Sequence, residues 1–346
     1  MTESTWAALS DYSVFSALLV LSGALVGYVV HLVRTAPRED TTSDGAMTSA
    51  PRVTQQQLVD PAGAPTPDGE SSGPGLVGVA TTDGPDHETG RPDPGPGRRA
   101  SGIAWMLTLL GTALVVAGVV LRALDVHRWP LGNMYEFALA GAMFTLLAYI
   151  AWSTRRDLRW LGAFVLAPVL AVLGSAVTIW YTEASQLMPS LRSYWLAVHV
   201  TVATMTVAVF TLGAALGALY LIQDRIETGG SARGRRSFMR RLPTAQALER
   251  LAYAAHVVAF PMWTFTVIAG AIWARQAWGS YWNWDPKEVW SFVIWVAYAA
   301  YLHARATTGW RRQNATWIAL AGFGAVIFNF AVVNVFIVGM HSYSGL

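Results

Sequence analysis

The feature that most constrains this chain is a succession of long apolar runs. About 20 apolar residues in a helix are needed to cross a bilayer core. Eight stretches meet that requirement, at roughly 13–33, 101–122, 134–152, 158–180, 194–222, 251–275, 288–306 and 315–340. Only 13% of the 346 residues are charged, against about 25% in an ordinary soluble domain. A purely soluble fold is thereby excluded. The expectation is an all-α, polytopic membrane helical bundle of about eight transmembrane helices. Gly213 and Gly217 form a small-xxx-small pair, which lets neighbouring helices approach closely.

The basic residues set the topology. All are Arg except Lys287, and they sit in short loops between the apolar runs, a membrane pattern and not a duplex-binding face; no nucleic acid is expected. Of the 24, 19 lie in alternate loops: around 34–99, at 155–159, at 225–250 and at 305–312. Positive-inside then puts both termini outside, with 123–133, 181–193, 276–287 and the tail 341–346 on the outer face. Residues 1–12 are acidic and no clear cleavage site follows, so no cleavable signal is expected.

Residues 35–100 are a different material. They hold 10 of the 16 Pro, no aromatic residue and no hydrophobic period. Such composition cannot bury a core and reads as a disordered cytoplasmic linker. The expected organisation is an N-terminal helix (1–34), this linker (35–100) and a membrane core (101–346) carrying an outer Trp-rich loop at 276–290.

That loop is the most informative stretch. Between Trp263 and Trp295 there are seven Trp, and four of them crowd the segment WGSYWNWDPKEVW at 278–290. One or two would be interfacial anchors. Seven make a dense aromatic surface suited to a large, flat, apolar ligand with polar edges. Asp285, Pro286 and Glu288 also spell a helix start: an N-cap, Pro at N1 and a capping box. Capping is the expected main role of these residues, and it would also hold the Trp loop in place.

The chain has seven His and no Cys. Disulfides, thiolate metal sites and thiol redox chemistry by this chain are excluded. His199 and His341 fall at the outer level, near the start of the fifth span and the end of the eighth, beside the Trp loop. Two neutral imidazoles so placed can ligate a haem iron axially. A lone membrane His is more often an interhelical hydrogen-bonding group; for this pair, ligation is the stronger reading. His31, His256 and His303 lie near inner ends, either as one ligand site or as three separate polar residues. Glu136, in a helix first turn, reads as structural.

These motifs resemble the haem-handling membrane proteins of cytochrome c maturation, in the CcsA/ResC branch called CcsB in actinobacteria. WGSYWNWDPKE at 278–288 is similar to the family's WWD signature. PLGNMYEF at 130–137, SYWLAVH at 193–199, YLHAR at 301–305 and HSY at 341–343 match in the same order. The resemblance covers most of 101–346. It implies a subunit of a holocytochrome c synthase (haem lyase) complex in the bacterial plasma membrane, active at the extracytoplasmic face. It implies haem b as bound substrate, His199 and His341 as the outer axial pair, and His303 as an intramembrane haem ligand whose opposing ligand comes from a ResB/CcsB-type partner. Trp278, Trp282 and Trp284, with Asp285, would form the platform, and Arg128 or Arg192 would pair with propionates.

The implied reaction joins haem vinyls to the thiols of a CxxCH motif in apocytochrome c. Those thiols belong to the substrate, in keeping with a Cys-free chain, and a thioredoxin-like protein could keep them reduced. This chain would bind and orient. The rivals are a transporter of another amphipathic molecule without covalent chemistry, and a scaffold that only recruits the apocytochrome.

Overall fold

The computed structural model describes residues 5–34, 96–183, 187, 191–229, 239 and 242–341. The expected linker therefore lies, over 35–95, outside the described residues, as do Ser342 and Tyr343 of the terminal motif.

Eight long helices carry the chain: α1 (Thr5–Arg34), α2 (Pro96–Val126), α3 (Met134–Arg155), α4 (Gly162–Thr178), α5 (Thr201–Gly229), α6 (Ala245–Trp278), α7 (Pro286–Ala306) and α8 (Arg312–Ile327). No strand occurs among the described residues. All but α7 are long and apolar enough to cross a membrane. α7 is long enough at 21 residues but carries Lys287, Glu288, His303 and Arg305, which dilute its apolar character. Large apolar side chains such as Leu19, Val26, Met106, Val258 and Ile268 point outward and exposed. In water that surface would be a severe liability; in lipid it is solvated. The chain is a multi-pass membrane protein.

Local sequence explains the helix ends. Asn133 caps α3 by accepting from the Glu136 N–H at 2.9 Å. Thr244 caps α6 through the Ala247 N–H. α6 ends at Gly279, whose φ of 81° is the left-handed conformation that glycine adopts without a Cβ penalty. Asp285 and Glu288 close the expected capping box on α7, with Pro286 in its first turn.

The helices pack as neighbours in sequence and around α5. α1 lies along α2, α5 along α6, and α7 along α8, while α3 joins α4 and α5. Gly213 faces the His256 ring of α6, and Gly217 faces Thr316 of α8. The small-residue pair thus serves the close approach expected of it. One apolar core runs through α1–α4, the C-terminal half of α5 and the N-terminal part of α6. A second is built from α5, α6, α7 and α8. A third, small cluster of Leu131, Ala140, Leu191 and Leu196 sits where the outer segments meet.

Two helices are locally unwound, a feature the apolar pattern does not reveal. Leu196–Val200 is a π-helical turn leading into α5. Phe328–Val333 is another, linking α8 to the short α9 (Asn334–Phe336). An extra residue in a π-turn re-aims the side chains on it, and such turns gather at functional sites.

Candidate functional site

Both π-turns face one cavity. Its empty volume is about 1340 Å³, mouth included, and its walls draw on all three apolar clusters through residues such as Met134, Leu196, Trp263 and Ile294. The lining comes from the start of α3, the first π-turn, α6, the Trp loop, α7, the second π-turn and the chain end. These are the segments that charge distribution assigns to the outer face.

His199 and His341 both line this cavity. His199 sits on the first π-turn, and its Nδ1 lies 2.9 Å from the Thr266 carbonyl oxygen. A carbonyl only accepts, so Nδ1 carries the proton and Nε2 the lone pair. Gly270 makes room for the ring, since a Cβ there would lie 2.8 Å from His199 Cε1. Trp273 meets the imidazole edge-on, with centroids 5.7 Å apart.

His341 is held the same way by a different group. It does not end a helix: α9 stops at Phe336, and the chain turns back over 337–341. That turn is pinned to Asp285, which accepts from the Met340 N–H at 2.6 Å and from His341 Nδ1 at 2.8 Å. Trp278 stands edge-on to His341 at 4.7 Å. Asp285 also accepts from the Lys287 N–H at 3.0 Å. Burial pushes its carboxyl upward, but the hydrogen bonds from His341 and the two N–H donors outweigh that and hold it below the usual carboxylate range. The residue expected mainly to cap α7 therefore has a second role, fixing the ring orientation of His341. Neutral imidazoles with Nδ1 donating to an acceptor are the usual state of metal-ligating His.

The remaining expected residues divide. Trp278 and Trp282 line the cavity. Trp284 does not: it is 76% exposed, adopts φ 56°, and touches Trp282 edge-on at 5.9 Å. Arg128, one of two candidate propionate partners, is engaged by Glu136 through two contacts of 2.8 and 3.1 Å. Glu136 also receives Arg122 and the Gly132 N–H, so it anchors the loop before α3, a structural role as expected. Arg192 is exposed and donates to the Leu187 carbonyl.

The inner histidines do not converge. No cluster of three or more His, Asp or Glu suited to a metal occurs among the described residues. His256 is 1% exposed, boxed in by Phe210, Tyr298 and Tyr301. His303 lies exposed on the last turn of α7, and His31 near the end of α1. Of the two inner readings, separate residues is the one the structure supports for this chain.

Sequence reasoning passed over four lining residues: Trp273, Lys287, Asn329 and Asn334. Lys287 sits inside the helix-start segment, whose pattern Asp285, Pro286 and Glu288 already account for. The two Asn were legible only as polar residues interrupting the last apolar run.

Residues 131–341 match the family described as cytochrome c assembly protein. This chain belongs to that family. A cytochrome c biogenesis protein CcsA of Parasynechococcus marenigrum is 32% identical over 269 residues, covering 70% of this chain and 87% of that one. One from Prochlorococcus marinus is 30% identical over 277 residues, covering 70% and 84%. Among solved structures, the cytochrome c heme lyase CcmF superposes with a TM-score of 0.58 at 16% identity, over 95% of this chain and 47% of that one. This chain thus spans about half of CcmF, and the likeness is one of fold. Family membership places the chain in cytochrome c maturation. The matched segment begins at the cavity's Leu131 and ends at His341, so it contains the whole lining.

Proposed function

We propose that this chain binds haem in the outer cavity, with His199 and His341 as axial ligands, and promotes its covalent attachment to apocytochrome c at the extracytoplasmic face. One observation carries the reading. Two histidines from distant parts of the chain line the same cavity, each with Nδ1 bound to an acceptor. That arrangement brings two imidazoles, each oriented through Nδ1, to a common space walled by Trp and aliphatic side chains. It suits a flat aromatic macrocycle with a central metal.

In this reading the chain binds and orients. Thr266 and Asp285 fix the two imidazoles, Trp278 and Trp282 flank the ring, and the apolar walls exclude water. The haem substrate supplies its vinyl groups, and a CxxCH segment of the apocytochrome supplies the thiols. Each S–H adds across one vinyl C=C, making one C–S and one C–H bond. The addition is redox-neutral, so the thiols must arrive reduced, which is the task of a thioredoxin-like protein. No side chain here need serve as general acid or base.

The second histidine-bearing place is His303. It faces outward from α7, the least apolar of the long helices. A ResB/CcsB-type subunit packed on that face would complete an intramembrane haem site there.

The test is co-expression with that partner and a CxxCH reporter, measuring covalently bound haem. Attachment that needs this chain and is lost in the His199→Ala and His341→Ala variants supports the reading. Export of haem or another amphipathic molecule by this chain, with no change in attachment, would favour the transporter.

A further inference from the structure

The cavity holds a polar corner that ligation and stacking do not use. Lys287, in the first turn of α7, is the one Lys or Arg lining it among the described residues. Its Nζ donates to Asn334 Oδ1, and the Asn334 amide in turn touches Met134 Sδ. That chain of contacts joins the starts of α7 and α3 to α9. An ammonium has three N–H donors, and this contact uses one. Asp285, the acid whose charge acts on Lys287, has its oxygens already engaged. Its Oδ1 already serves the Lys287 N–H and His341, and its Oδ2 serves Met340.

The same lining holds polar atoms with no partner among the described residues. Asn133, next to Met134, is 9% exposed and lines the cavity, and its Nδ2 has no partner among the described residues. Asn329, on the second π-turn and 5% exposed, spends its Nδ2 on Ser291 and leaves Oδ1, an acceptor, unpartnered among the described residues. Glu288, the one acid in the lining among the described residues, turns Oε2 to the N–H groups of Asn283 and Asp285, while its Oε1 has no partner among them. Buried polar groups are rarely left unsatisfied, so each such group calls for an explanation. A cation with unused N–H donors and the orphaned Asn133 amide N–H, in an apolar cavity, are chemically matched to a carboxylate entering with the ligand.

We infer that Lys287, oriented by Asn334 and joined by Asn133, forms a carboxylate subsite that takes one propionate of the bound haem. The inference rests on the proposed haem site and adds to it the residue that sets the ring's rotation about the axial bond. Fixing one propionate places the vinyls at one position relative to the mouth. A reaction with defined thioether stereochemistry requires that placement.

The test compares two probes on the purified full chain with its partner: haem and its dimethyl ester, in which both carboxylates are masked. Affinity and the Soret spectrum are read for the wild type, Lys287→Met and Lys287→Arg. The wild type is expected to prefer the free acid by about tenfold to a hundredfold, the range for a hydrogen bond to a charged group. Lys287→Met should abolish the preference while binding the ester like the wild type, which also shows that the variant is folded. Lys287→Arg should keep most of the preference. A Lys287→Met variant that still prefers the free acid overturns the subsite. Equal wild-type affinity for both probes, with a bis-histidine spectrum, overturns the subsite and leaves the haem site standing. Absence of a bis-histidine spectrum with either probe overturns both.

Discussion

At the scale of single residues, the informative pairings are between each histidine and its orienting acceptor. His199 leans on a backbone carbonyl and His341 on Asp285. Asp285 can be dissected because its two roles differ in what they require. Asn is as good an N-cap as Asp, so Asp285→Asn should leave α7 and the protein level unchanged. It cannot, however, accept from Met340, Lys287 and His341 with two carboxylate oxygens. Loss of an orienting partner typically weakens metal affinity about tenfold to a hundredfold. Haem titration should therefore show that loss in Asp285→Asn; unchanged affinity would assign Asp285 to capping alone. The sequence displayed this residue as an N-cap because capping is local, read from neighbours at i+1 and i+3. Its contact with His341 was not legible, because it depends on how the chain turns back after α9.

At the scale of elements, the two π-turns account for what periodicity missed. Both stretches read as unbroken apolar runs, and nothing in their composition marks an extra residue at Leu196–Val200 or Phe328–Val333. Yet these turns carry His199 and Asn329 into the cavity. The small residue opposite, Gly270, is the complement of the first turn. In Gly270→Ala the new methyl would meet His199 Cε1 at 2.8 Å and Nδ1 at 3.2 Å, so the ring must shift away from Thr266. Such overpacking costs about 1–3 kcal/mol. The variant is expected to be made and inserted but to lose most of its haem, as read from the ratio of Soret to protein absorbance. Gly174→Ala, with nothing within 4 Å, is the control and should behave as wild type. Retained haem in Gly270→Ala would mean that the imidazole position is not critical. Helix number, helix starts and the Gly213/Gly217 contact were legible because they rest on composition and local chemistry. The platform was only partly so: a count of Trp cannot tell Trp278 and Trp282, in the wall, from Trp284, facing out.

At the scale of the whole molecule, orientation is the claim that charge makes. With 19 of 24 basic residues in alternate loops, single cysteines at Ser231 and Ser280 in this Cys-free chain should react with an impermeant thiol reagent from opposite sides. Labelling from the same side would contradict the topology and move the cavity to the wrong face. The central claim is that the bundle brings α5 and the chain end together so that His199 and His341 hold one iron. Residues acting as a unit are non-additive. The decisive measurement is therefore the haem spectrum and affinity of His199→Ala, His341→Ala and the double variant, each with and without added imidazole. The account predicts that either single change removes nearly all bis-histidine haem, that the double change removes little more, and that imidazole restores the spectrum of each single variant. Unaltered haem spectra in both single variants would contradict it.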